Sequence, residues 1–339
     1  MPNMDKTLSI AFDRLRFPLA ILVIYLHIDH IPTHDLIAAT NFTGTQGLEL
    51  YYRIVYSVCL IANCAVPCFF FMSGYLIVNN LTEFSWQSYY KKISNRFFTL
   101  FIPYIIWNIL AGLYIWFVVG TRFDITSIFI DPINFPLWFL RNLIVLDLLL
   151  PLWWVMNKYF KSFGLILVSA VYLFYTHIPY INNYAATALF YFYFGIYCNR
   201  RFINIGHIPK ASKYLIAIIA IGTYIAQIIW WQYNLYYIHR LFLVAGVMTI
   251  LIMSYRYSAI KGELKYPLLA SAAFFIYASH KVGPTAFAKL PLNYILPDNP
   301  YSSIIIFLVA PLFTAGICLT IYRIAKKYSP RFLMILSGR

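Results

Sequence analysis

The feature that most constrains this chain is a succession of long apolar runs that do not alternate with polar residues. Ten can be marked, roughly 15–33, 51–78, 97–120, 137–157, 163–178, 184–198, 213–231, 240–255, 268–284 and 302–323. Long runs without alternation read as buried helices rather than half-buried strands. A helix rising about 1.5 Å per residue needs about 20 apolar residues to cross a bilayer's hydrocarbon core. Several runs have that length. The fifth, sixth and eighth are shorter, which suits helices covered by their neighbours. A helix also closes its own backbone hydrogen bonds, as hydrocarbon demands. The chain is therefore expected to be an all-α integral membrane protein, a polytopic bundle of about ten transmembrane helices. Residues 1–339 read as a single transmembrane domain with no separate soluble domain.

Composition agrees with that reading. The chain is 62% hydrophobic and 11% charged, with a mean hydropathy of +0.71. Soluble domains are about 45–50% apolar and about 25% charged. An ordinary cytosolic enzyme, a disordered chain and a nucleic-acid-binding protein are excluded. The net charge of +15 does not alter this, because the basic residues sit in short clusters between apolar runs. With a cytoplasmic N-terminus, the inner segments hold 20 of the 26 Lys and Arg residues. The outer segments and flanks hold only Arg53, Arg122, Arg141, Arg240, Lys281 and Lys289. Such asymmetry predicts cytoplasmic N- and C-termini and an even number of spans. Asp5, Asp13, Arg14 and Arg16 precede the first run and no small-residue cleavage site follows it, so no cleaved signal peptide is expected. Cys59, Cys64, Cys68, Cys198 and Cys318 lack zinc or disulfide spacing, and Cys59, Cys64 and Cys68 are expected to be small buried hydrophobes.

Candidate chemistry rests on ionisable residues inside the runs, because a charge at mid-bilayer costs about 2.5–3.5 kcal/mol on insertion scales. Arg16 and His27 are eleven positions apart. At ~100° and ~1.5 Å per residue, that is three near-complete turns and about 16 Å of rise. Both lie on one helix face, Arg16 near the inner surface and His27 in the outer half. Such a face is suited to hold an anionic substrate by its tail and react at its head. The plainer readings are an arginine snorkelling to headgroups and a hydrogen-bonded packing histidine. His30 and His34 continue the face at i+3 and i+7 from His27. With Asp35 they could form a metal site, but solvated histidines at the membrane edge are the simpler account, and no metal is expected. Trp138, Arg141 and Asn142 lie near the outer end of the fourth run, with Asp147 nearer the centre, where a carboxyl group needs a partner. His280 ends the ninth run on the outer side, as an interfacial anchor or a site residue. Trp138, Arg141, Asp147 and His280 are the candidate acceptor contacts.

Five segments in order resemble the membrane-bound acyltransferase-3 family, integral-membrane enzymes that O-acylate bacterial surface glycans. Arg16 to His27 is similar to the family's Arg, ten residues, His. Phe69-Phe70-Phe71-Met72-Ser73-Gly74-Tyr75-Leu76 resembles its Phe-Phe-x-x-Ser-Gly-(Phe/Tyr)-Leu segment. Lys91, Lys92 and Arg96 followed by Pro103-Tyr104 resemble a basic loop leading to Pro-Tyr, with Lys-Lys where many members carry arginines. Pro136-Leu137-Trp138-Phe139-Leu140 and Phe274-Phe275-Ile276-Tyr277-Ala278-Ser279-His280 complete the set. The resemblance covers about 10–325.

That resemblance implies a multi-pass bacterial inner-membrane enzyme with an acyl-coenzyme A donor, acetyl-coenzyme A foremost, reached from the cytoplasm. The implied acceptor is a hydroxyl of a surface glycan or its lipid-linked precursor. His27 becomes the expected catalytic residue, and Arg16 is expected to serve donor use. Arg16, Lys91, Lys92 and Arg96 would form a basic inner mouth for the donor phosphates, with arginine the better fork. Ser73 would line the donor path, unless it is only a small helix-packing residue. A neutral His27 would take the proton of the acceptor hydroxyl as it attacks the thioester. Besides donor and acceptor the expected partners are membrane lipids, not nucleic acid. The competing reading is a polytopic glycan or lipid translocator without acyl chemistry.

Overall fold

The computed structural model describes residues 5–28, 45–79, 81, 83–129, 131–178, 181–201, 203, 205–297 and 299–338. Among these residues every regular element is helical and no strand occurs. Helix α1 (Lys6–His27) begins at Asp5, whose carboxylate accepts from the Thr7 N–H at 2.9 Å. Its buried residues Leu8, Ala11, Phe12, Leu19, Ala20, Val23 and Ile24 recur every three or four positions, the repeat that keeps one stripe inward. This stripe makes α1 a central post. It packs against α2 (Thr45–Ala62), α3 (Ala65–Ile77), α11 (Tyr236–Lys261), α12 (Pro267–Ser279) and α14 (Pro300–Tyr328).

Helix α3 makes its most extensive contact with α9 (Asn183–Arg200). Gly74 faces the Phe192 carbonyl oxygen and Gly195 faces that of Phe71, each so close that an added Cβ would overlap the oxygen. Small residues at facing positions let two backbones approach in a membrane bundle, where apolar side chains gain little by leaving lipid. The Ser-Gly pair thus divides its work. Gly74 serves the helix contact and Ser73 is left to line a cavity.

Around this centre stand α4 (Trp86–Arg96), α5 (Ile102–Tyr114), α6 (Trp138–Leu148), α7 (Leu150–Val155), α8 (Lys161–Phe174) and α10 (Lys210–Ile229). Beyond α12 come α13 (Pro284–Ile295), α14 and a final short helix α15 (Pro330–Ser337). Helix α15 buries Leu333 and Leu336 and receives the Trp107 indole N–H at the Leu336 carbonyl, 2.9 Å away. Gly338 ends it at φ +66°, a left-handed conformation that glycine adopts without strain. Its Cα lies against the Thr99 carbonyl, where a side chain would not fit.

Ten crossings are expected from sequence. Six helical segments among the described residues are long and apolar enough to cross a membrane: Gly47–Ile77, Trp86–Val118, Leu150–His177, Lys210–Ile229, Tyr236–Lys261 and Pro300–Tyr328. Every expected run falls at least partly on a helix, but the helices of the others are shorter or carry more polar and charged residues. Helix α1 holds Asp13, Arg14 and Arg16, and α12 spans 13 residues. The fourth and fifth runs are also divided differently from expectation. The break falls at Leu149, immediately before Leu150-Pro151, and the next segment continues to His177. Proline has no N–H to donate to the preceding turn and is tolerated in the first turn of a new helix, so Pro151 sets the break.

Candidate active site

Helix α1 presents Arg16 and His27 to two different cavities. The first, of 290 Å³, is lined by Arg16, Ser73, Arg96, Thr99, Phe139 and Tyr277, with Ser337 and Gly338 of the C-terminal turn among its other walls. The second, of 240 Å³, holds His27 with Asn63, Trp138, Asn183, Thr187 and Arg240 among its lining residues. Aromatic rings stand between them. Phe70 packs on Phe139 at a centroid distance of 4.6 Å and on Trp138 at 6.1 Å, and Phe139 meets Tyr277 at 5.8 Å. The Tyr277 ring, which lines the first cavity, lies 6.5 Å from the His280 ring. The His280 ring in turn lies 5.3 Å from that of His27. A single ring, Phe70 on one route and His280 on the other, thus stands between lining rings of the Arg16 cavity and of the His27 cavity.

The hydrogen bond of His27 settles its tautomer. Its Nδ1 is 2.7 Å from the Val23 carbonyl oxygen, four residues back along the helix. A carbonyl can only accept, so Nδ1 carries the proton and Nε2 is the basic nitrogen of the neutral ring. His280 repeats the arrangement, its Nδ1 donating to the Tyr277 carbonyl at 2.7 Å. Its Nε2 has no hydrogen-bond partner among the described residues although the residue is fully buried. The Thr285 hydroxyl donates to the His280 carbonyl at 2.7 Å and holds this turn between α12 and α13. His280 is therefore no interfacial anchor. It is a buried neighbour of the His27 ring.

The segment before α6 completes the surroundings. Phe135 packs against His27 at 5.9 Å, and the Tyr277 hydroxyl donates to the Pro136 carbonyl. Asn134 donates to the Ala278 carbonyl at 2.8 Å and its own N–H is received by Asn108 at 3.1 Å. The Pro136–Leu140 and Phe274–His280 segments, remote in sequence, thus meet beside His27.

The other sequence-predicted residues divide. Arg16, Ser73 and Arg96 come together at the first cavity. Arg16 pairs with Asp13 at 3.3 Å. Lys91 is exposed and Lys92 donates to the Asn79 carbonyl at 3.4 Å, and neither lines that cavity. Trp138 lines the His27 cavity. Arg141 lies 3.6 Å from Asp131 and lines neither cavity. Asp147, grouped from sequence with the acceptor contacts, instead lies 3.1 Å from Arg96 at the far end of α6. Nine residues of helix, about 13 Å, separate it from Trp138. His30, His34 and Asp35 lie outside the described residues.

Sequence reasoning missed Arg240, His239, Asn183 and Thr187, all on the wall of the His27 cavity. Arg240 entered only as an outer flanking charge. A signal was available, because the His239-Arg240 pair leads directly into an apolar run.

Long apolar helices around a central post, with a cavity partly lined by His27 between them, define a multi-pass membrane protein. The chain matches the profile of the family described as "Acyltransferase domain" over residues 9–323. It belongs to that family and is a membrane acyltransferase. It is similar to the succinoglycan biosynthesis protein ExoH of Rhizobium meliloti (strain 1021), 23% identical over 373 residues that cover 99% of this chain and 93% of that protein. No solved structure matches it. Membership of an acyltransferase family removes the ground for a translocator without acyl chemistry.

Proposed function

We propose that this acyltransferase moves an acyl group, acetyl foremost, from cytoplasmic acyl-coenzyme A to a hydroxyl of a surface glycan or its lipid-linked precursor in a bacterial inner membrane. The observation that carries the reading is the position of α1. Its Arg16 lines one cavity and its His27, with Nε2 as the basic nitrogen, lines the other. Arg16 and Arg96 suit the donor phosphates, and on this reading the pantetheine arm, the narrowest part of the donor, crosses the ring layer between the two cavities. The relative's role in succinoglycan biosynthesis supports a polysaccharide acceptor.

The chemistry then balances at named atoms. His27 Nε2 takes the proton of the acceptor hydroxyl as its oxygen attacks the thioester carbonyl carbon. The carbon–oxygen bond forms and the carbon–sulfur bond breaks. The departing thiolate receives the proton held by the imidazolium. The neutral ring is restored, still oriented by Val23.

The test uses full-length protein in native membranes, with release of coenzyme A thiol as the readout. His27→Ala is expected to lower transfer by about 100- to 10,000-fold, the usual range for a lost general base. Arg16→Ala is expected to raise the donor KM and to recover at high donor concentration. Full activity in His27→Ala refutes the mechanism. Thiol release that does not depend on an acceptor refutes the acceptor assignment.

A further inference from the structure

Arg240 is 2% exposed, and among the described residues no carboxylate pairs with it. Its guanidinium donates to the Thr187 hydroxyl at 3.1 Å and to the Asn183 side-chain oxygen at 2.7 Å. Three tyrosine rings surround it, with centroids 4.2 Å (Tyr172), 4.9 Å (Tyr175) and 5.1 Å (Tyr236) from the guanidinium carbon. Its Nε is buried without a hydrogen-bond partner among the described residues. Desolvating a full charge costs several kcal/mol, and neutral oxygens and ring faces offset only part of that. Such an arginine is held in place yet lacks a counter-charge among the described residues, and it lines the same cavity as His27.

The rest of that wall suits a sugar. Trp138 and Tyr184 lie 4.4 Å apart between centroids and both line the cavity, offering apolar ring faces to the C–H face of a pyranose. Asn63 and Asn183 supply neutral hydrogen-bonding groups for hydroxyls.

We propose that Arg240 is the anion-recognition point of the acceptor site, and that the acceptor is an acidic saccharide whose carboxylate or phosphate binds there while a hydroxyl faces His27. This rests on the reading of the His27 cavity as the acceptor chamber. The planar fork of arginine matches an oxyanion in two-pronged fashion. Hydrogen bonds to charged groups contribute about 1.5–3 kcal/mol, which corresponds to about a ten- to hundredfold preference over a neutral sugar.

The experiment follows thermal unfolding of the full-length protein in nanodiscs against glucuronate, glucose 1-phosphate and glucose. Glucuronate or glucose 1-phosphate is expected to stabilise at concentrations at least about tenfold below those needed for glucose. A preference for the first marks a ring carboxylate, and for the second a sugar phosphate. Arg240→Gln is expected to abolish the preference. Arg240→Lys, which keeps the charge but loses the fork, is expected to weaken it and decides the matter if the Gln variant does not fold. His27→Ala is expected to lose acyl transfer but retain the preference, so this proposal and the catalytic reading fail separately. Equal responses to all three sugars in the unsubstituted protein, or an undiminished preference in the Arg240 variants, overturns the proposal. So does an Arg240→Lys effect confined to the KM of succinyl-coenzyme A relative to acetyl-coenzyme A, which would assign the anion to the acyl group.

Discussion

Removing either member of the Arg96–Asp147 pair should have very unequal consequences. The Nε-to-Oδ2 distance is 3.1 Å, and the side chains are 31% and 1% exposed respectively. At an effective dielectric of about 20, unit charges at that distance attract by about 5 kcal/mol. In Arg96→Gln the Asp147 carboxylate is left inside the bundle without this partner, a situation that costs about 3–5 kcal/mol. In Asp147→Asn the guanidinium left behind is part-exposed at the first cavity, so the loss is expected near that of a part-exposed pair, about 1 kcal/mol or less. Replacing both should recover most of the Arg96→Gln deficit, because no charge is then stranded. Reversible unfolding of the purified protein in mixed micelles, run as a double-mutant cycle, reads all three quantities. Equal losses in the two single variants, or a double variant no better than Arg96→Gln, would refute the reasoning.

Three further outcomes can be checked. Gly195→Ala or Gly74→Ala forces a methyl group onto a facing carbonyl oxygen, so α3 and α9 must separate, with a loss of about 1–3 kcal/mol or more in the same unfolding assay. His280→Phe removes the Nδ1 bond to the Tyr277 carbonyl together with a buried Nε2 that has no hydrogen-bond partner among the described residues, so stability is expected to fall by about 0.5–1.5 kcal/mol. Transfer activity should nevertheless fall with little change in donor KM, because the ring beside His27 has been replaced; unchanged kcat would remove His280 from the site. Trp138→Leu should raise the KM for a saccharide acceptor while leaving the KM for the acyl donor unchanged, as measured by acceptor-dependent thiol release.

Much of the site was legible along one helix. Arg16 and His27 share a face because the helical repeat is fixed by backbone geometry, and eleven residues come close to three whole turns. Short-range proline chemistry was also available to place the break before Pro151, although the apolar run around it masked that signal. Arg240 was hidden for a different reason. Its flanking position made it look like an ordinary interfacial charge, and nothing in the local pattern reveals that Tyr172, Asn183 and Thr187 will enclose it. Lys91 and Lys92 show the converse, basic residues in the expected segment that the helix turns away from the cavity.

The amino-acid sequence alone determined that this chain is helical, belongs in a membrane and carries a cation and an imidazole in register on its first helix. Those properties follow from apolar run length and helical pitch, which act within a few turns. Only the tertiary structure decided that His280 meets His27, that Asp147 meets Arg96 and that Arg240 shares the chamber of His27. Each of these joins different helices, and helix periodicity sets which face a residue occupies but not which helix will pack against it.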